Sequence, residues 1–286
     1  MNLSTSNPIE EKVHLKLIED LLLIFILISC STFMNNWWHI KFILITTLLL
    51  ANFTTGRTKY PKIFWSITLV LTSLELIPHY FLAANHNFVL FYITLTIWIS
   101  HFYPLERIKI IKLNSFFLLV MILLFGALQK LLSPDFMSGD FLSYLTLKGD
   151  LFKPLQIAKV LPDVFSENLA QITENKNSIP DANKVIQLAA PFGGFETFIY
   201  YFSVAVMIIE FLILPTFLLK NQNIKNTILL LFLIGLIFTR FETGFVALLT
   251  ILIIGQLSIL VKIFKFLFVG LFTVCLALIL VRLGLL

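Results

Sequence analysis

Nine stretches of this chain are too apolar to belong to an ordinary protein in water. They run at 17–34, 40–54, 63–83, 87–103, 113–132, 196–219, 226–239, 243–261 and 265–284. A transmembrane helix needs about 20 mostly apolar residues, so most of these read as spans. The second and seventh are short, and the seventh and eighth meet at "TRFETG" (239–244) as either one kinked helix or a pair.

Composition agrees. Hydrophobic residues make up 58% of the chain and charged ones 13%, against about 25% charged in a soluble domain. The net charge is +5, but the basic residues are scattered between apolar runs and form no patch for nucleic acid. Cys30 and Cys275 each sit inside an apolar segment, with no disulfide framework and no zinc spacing. The opening "MNLSTSNPIEEKVHLK" has no basic start and no cleavage site after it, so the first apolar run is read as a retained helix.

Loop charge orders the spans. Lys12 and Lys16 precede the first. Arg57, Lys59 and Lys62 follow the second, Arg107, Lys109 and Lys112 the fourth, Lys220 and Lys225 the sixth, and Lys262 and Lys265 the eighth. The alternate connections "NNWWHIK", "AANHN" and "RFETG" are nearly neutral. Cytoplasmic loops carry the lysine and arginine excess, which places the N-terminus inside. The alternation holds to the end only if 226–261 is two segments.

The long connection 133–195 then lies outside. It holds five lysines and seven acidic residues and is broken by Pro134, Pro154, Pro162, Pro180 and Pro191. "PLQIAKVLPDVFSENLAQI" carries apolar residues at helical spacing and suits a short helix over the membrane surface or a cavity. The expected fold is therefore an all-α polytopic transmembrane bundle of about nine spans. It comprises five N-terminal helices (1–132), one extracytoplasmic lid (133–195) and a C-terminal set of helices (196–286), in a plasma membrane of bacterial type.

Charged groups inside spans are costly and default to function. They are Glu75, Lys130, Glu210, Arg240 and Glu242; Glu19 and Asp20 lie near a helix end. A lysine is a base only when neutral, and its ordinary pKa is about 10.4. Burial against apolar walls lowers that toward a range useful in catalysis, so Lys130 is the candidate base. The bland alternative is a lysine that snorkels to the boundary. Gly126, one turn earlier, would let a flat ligand or another helix approach, and Gln129 is its polar neighbour. Glu210 lies too deep in its helix to be surface trim and needs a partner or a proton. Arg240 and Glu242 sit at the helix break, where backbone can line a wet cavity, or else mark a tight outer turn. His14, His39, His79, His86 and His101 show no metal-ligand spacing. "SLELIP" and "MIIEFLILP" both place a glutamate before a proline, at different spacings.

The stretch "FGALQKL" followed by "SPDFMSGDFLSYL" resembles the HTTM family, the membrane region shared by vitamin K-dependent gamma-carboxylase and its bacterial relatives. "VMIIEFLILPTFLL" and "IFTRFETGFVAL" resemble that family's later helices. The resemblance covers about 113–260. It implies that Lys130 is the base that deprotonates a reduced quinone; Glu210 is the second catalytic candidate, or else a structural group hydrogen-bonded between helices. Gly126, Gln129, Arg240 and Glu242 would line the substrate cavity. Where carboxylases carry a histidine and an asparagine ahead of the "F..G.F" turn, this chain offers only Asn226, and a large extracytoplasmic domain like theirs is not expected. A quinone or another lipid-soluble small molecule, rather than a protein glutamate, is the substrate to expect.

The DoxX-like membrane proteins share the glycine-lysine helix end. By that likeness the chain would be a non-enzymatic subunit or assembly factor of a redox partner. A transporter would show clearer inverted repeats and ranks last. Membrane lipids are the common partner in every reading.

Overall fold

The computed structural model describes residues 8–32, 37–77, 85–157, 163–177, 188–257 and 261–282. Among them every regular element is a helix: α1 (Pro8–Thr32), α2 (Trp38–Phe53), α3 (Gly56–Lys59), α4 (Pro61–Leu76), α5 (Asn85–Ser100), α6 (Arg107–Leu131), α7 (Pro134–Met137), α8 (Asp140–Leu147), α9 (Lys153–Ile157), α10 (Val164–Asn177), α11 (Phe195–Ile213) with a 3₁₀ extension (Leu214–Leu218), α12 (Gln222–Arg240), α13 (Thr243–Gln256) and α14 (Lys262–Arg282).

Among the described residues four helical segments are long and apolar enough to cross a membrane: Arg107–Leu131, Phe195–Leu218, Gln222–Arg240 and Lys262–Val281. They make this an integral membrane protein. Their outer faces are apolar, as on α6, where Leu113, Phe117, Met121 and Phe125 recur every fourth residue and are exposed. Trp38–Phe53, His86–Ser100 and Thr243–Gln256 are apolar but shorter. A helix of 16 residues such as α2 or α4 rises only about 24 Å, short of a hydrocarbon core of about 30 Å.

The chain gathers into two compact units, Met1–Leu119 with Thr243–Leu286, and Val120–Glu242. In the first, α4 packs on α5 and α2, and α13 packs on α14, α1 and α5. From Val246 to Gln256 every residue of α13 is buried, which suits a helix that is hydrophobic all round. Gly255 makes the contact with α6 close: a Cβ there would fall 2.5 Å from the Ser115 hydroxyl oxygen.

In the second unit, α7 and α8 fold onto the first half of α11. Phe136, Leu142 and Leu151 bury against Phe195 and Ile199. The expected lid helix over 154–172 is realised as α9 and α10, with residues 158–162 outside the described set. Asn168 of α10 ties in the chain before α11: its side chain donates to the Ala189 carbonyl at 3.0 Å and accepts from the Ala189 N–H at 2.9 Å.

Candidate functional site: an ion pair beside a ring-sized cavity

The site is assembled from two turns that the sequence writes explicitly. The first is Ser133-Pro134. The proline cannot extend α6, because it lacks an N–H, and it serves instead as the first residue of α7. The Ser133 side chain caps α7 by accepting from the Phe136 N–H at 3.3 Å. Five residues on, Gly139 turns the chain again with φ +89, and a Cβ there would lie 3.2 Å from the Tyr200 backbone. Only glycine meets both conditions. The second turn ends α12. Phe241 takes the left-handed conformation, φ 52, and its N–H bonds to the Ile237 carbonyl at 3.1 Å. The stretch 226–261 is thus two helices, as loop charge requires, and Arg240 sits at the end of the first.

These turns bring Gly126, Gln129, Lys130, Ser133, Phe136, Phe141 and Arg240 around one cavity of about 180 Å³. The Lys130 ammonium donates to both oxygens of Glu210, at 2.7 and 2.6 Å. Both side chains are largely buried. The Phe136 ring lies 5.8 Å from the same ammonium and tilts against Phe141 at 6.2 Å, so one wall is aromatic. Arg240 bonds Glu242 at 2.9 Å, with both about one third exposed. The backbone N–H of Phe152 donates to the Thr239 carbonyl at 2.8 Å, tying the connection to the end of α12.

Of the sequence-predicted residues, Gly126, Gln129, Lys130 and Arg240 share the cavity; Glu210 joins through Lys130, and Glu242 through Arg240. A Cβ on Gly126 would meet nothing within 4 Å, and the residue lines the cavity. Ser133, Phe136 and Phe141 were not singled out from the sequence. Their only signal is that they directly follow the helix end that carries Lys130.

The bonding sets conditions on chemistry. An ammonium held between carboxylate oxygens has no lone pair. For Lys130 to take a proton its own must first leave, and the Glu210 carboxylate is the acceptor already in contact with it. Arg240 offers further N–H groups to an oxygen-bearing ligand. Ser133, accepting from Phe136, keeps its hydroxyl proton to donate. Among the described residues no group of three His, Cys, Asp or Glu side chains comes together to hold a metal.

No family model, no curated protein and no solved structure matches the chain. The likeness to the HTTM membrane region rests on the quoted residues alone.

Two further ionic clusters occupy the other unit. Lys41 of α2 bonds Glu75 of α4 at 2.6 Å, both nearly buried. Glu75 thus has a partner that sequence reasoning had left in a loop. Glu19 accepts from Arg107 and, at 3.3 Å, from Arg57, which also holds Asp20 at 2.5 Å; His101 stands 3.2 Å from Glu19 and from Arg107. Glu19 and Asp20, near a helix end in the sequence, and His101, which showed no metal-ligand spacing, are joined in one network. Cys30 and Cys275 are free and buried, and His79 lies outside the described residues. In the long connection, the bond to Asp150 holds Lys148 above the usual lysine value.

Proposed function

We propose that this is a membrane enzyme in which Lys130 and Glu210 together move a proton to or from a lipid-soluble ring compound, with a reduced quinone the compound favoured by the HTTM resemblance. The observation that carries the reading is the two-oxygen bond between Lys130 and Glu210 at the edge of a cavity of about 180 Å³. An engineered apolar cavity of about 150 Å³ takes up benzene, so this volume suits one substituted six-membered ring. Aromatic walls at Phe136 and Phe141 match its face, and Gln129, Ser133 and Arg240 match its oxygens.

In this scheme the ammonium first gives a proton to Glu210. Neutral Lys130 then accepts the proton of the bound hydroxyl, and the anion so formed lies beside Arg240 and the re-formed ammonium. The residues are placed for preorganised charge stabilisation. Nine spans with the N-terminus inside accompany the reading. The alternation of basic loops and the two-helix form of 222–256 support that count.

The test is direct binding of a short-chain quinol and quinone to the purified protein in lipid nanodiscs. Lys130→Met is expected to weaken quinol binding at least tenfold while Glu242→Gln changes it little. Unchanged binding in a folded Lys130→Met protein would sink the proposal. The DoxX-like reading, a non-enzymatic subunit, draws on the same pair: with each charge satisfying the other, the bond has the form of a structural tie. It requires a redox partner that co-purifies, together with ligand indifference to Lys130→Met.

A further inference from the structure

The connection between α6 and α11 reads from its sequence as an external lid, with a short helix over the membrane surface or a cavity. One side of α7 and α8 buries Phe136 and Leu142 against Phe195 and Ile199 of α11. The sides left open carry the exposed Asp135, Ser138 and Asp140 at the α7–α8 corner and, beyond it, a set of aromatic residues. Phe141 and Tyr144 on α8, with Phe192, Phe198, Tyr200 and Tyr201 at the start of α11, are each 41–66% exposed. They are not loose ends. Phe192 meets Phe198 edge-on at 5.6 Å, Phe198 stacks on Phe202 at 6.0 Å, and Tyr200 meets Tyr201 at 5.4 Å.

Large aromatic side chains offer about 150–250 Å² each, so each of these six at about half-exposure leaves on the order of 100 Å² open. Tyrosine rings with a polar tip, set among phenylalanines, are the composition of a membrane–water boundary. Below them the same helix continues into a lipid-facing surface, where Ile208, Ile209 and Leu212 are exposed on a segment long and apolar enough to cross the bilayer. The contrast lies in α10, whose exposed face includes Glu167, Gln171 and Glu174.

From this we propose that α8 and the first turns of α11 form one aromatic platform seated in the head-group layer of the bilayer, with phospholipid at the boundary of head group and acyl chain as its partner. The Phe141 and Tyr144 side of α8 then faces lipid, while the α7–α8 corner, with exposed Asp135, Ser138 and Asp140, and the acidic face of α10 turn to water. Phe141 belongs to both the platform and the cavity wall, so a ligand reaches the cavity sideways, from the bilayer. The proposal holds whichever chemistry the Lys130 site performs, and on either side of the membrane.

The experiment places a nitroxide label on single cysteines in the full chain, in phosphatidylcholine–phosphatidylglycerol nanodiscs. Cys30 and Cys275 are fully buried and are also replaced by alanine in the background. Collision with oxygen, which concentrates in lipid, is compared with collision with a water-soluble nickel complex. At Tyr144→Cys, Phe198→Cys and Tyr201→Cys, oxygen is expected to dominate; at Glu174→Cys, the nickel complex. The proposal is overturned if the first three sites report the nickel complex as Glu174→Cys does. It is equally overturned if they are shielded from both reagents, as a protein partner would shield them. Because the three positions are exposed on two helices, misfolding of one variant leaves the others to decide.

Discussion

Lys130 and Glu210 stand eighty residues apart in the chain, yet the ammonium touches both carboxylate oxygens within 2.7 Å. Removing one partner from such a buried pair leaves an uncompensated charge, at a cost of about 3–5 kcal/mol, whereas replacing both with apolar groups is often near neutral. Lys130→Met and Glu210→Leu are each expected to lower thermal stability sharply, and the double variant to recover most of it. Additive losses in the double-mutant cycle would show that the two do not interact.

The two glycines near the cavity should behave oppositely. Gly139→Ala forces a Cβ into a left-handed backbone and against the Tyr200 main chain, so a loss of about 1–3 kcal/mol is expected. Gly126→Ala meets open space and improves helix propensity by up to about 1 kcal/mol. Gly126→Leu would fill the cavity and abolish ligand uptake without unfolding the protein. Calorimetry of the three variants, followed by ligand binding, checks this.

Phe241 sets two effects against each other. Its left-handed backbone costs about 1–2 kcal/mol, which glycine would relieve. Its ring is buried, and emptying such a site costs about 3–5 kcal/mol. Burial is the larger effect, so Phe241→Gly should destabilise by about 2 kcal/mol. A stabilised variant in thermal unfolding would show that the strain prevails.

Lys41→Met and Glu19→Gln provide the control for function. Each breaks a buried ionic contact in the unit that lacks the cavity, so each should lower stability by several kcal/mol. Ligand affinity in the surviving folded protein should stay within about twofold of the parent, a change worth under about 0.5 kcal/mol. Lys130→Met should lose affinity whatever its stability.

What the sequence makes legible is what is encoded locally. Each apolar run carries a helix, because hydropathy and spacing act within one segment. The break at Phe241 is foretold by charge alternation alone. Lys130, Glu210 and Arg240 stand out because a charge in an apolar run is conspicuous by itself. Partnership is another matter. Lys41 looks like boundary trim until α2 and α4 bring it onto Glu75, and nothing in either segment records that meeting. The aromatic residues of α8 likewise read as ordinary lid residues; only the packing of Leu142 onto α11 decides which of them turn outward.

The burial of α13 bears on how the chain is made. A helix of 14 residues rises about 21 Å, and from Val246 onward it is enclosed by other parts of the protein. Its widest packing partner, α14, follows it in the chain. Until α14 emerges, the side of α13 that it covers has nothing to rest on but lipid, so the central helix of its unit is completed only by the helix made after it. Deleting Lys262–Arg282 should therefore release α13 to protease and mark the nascent protein for quality control, although every charged residue at the Lys130 site remains in place.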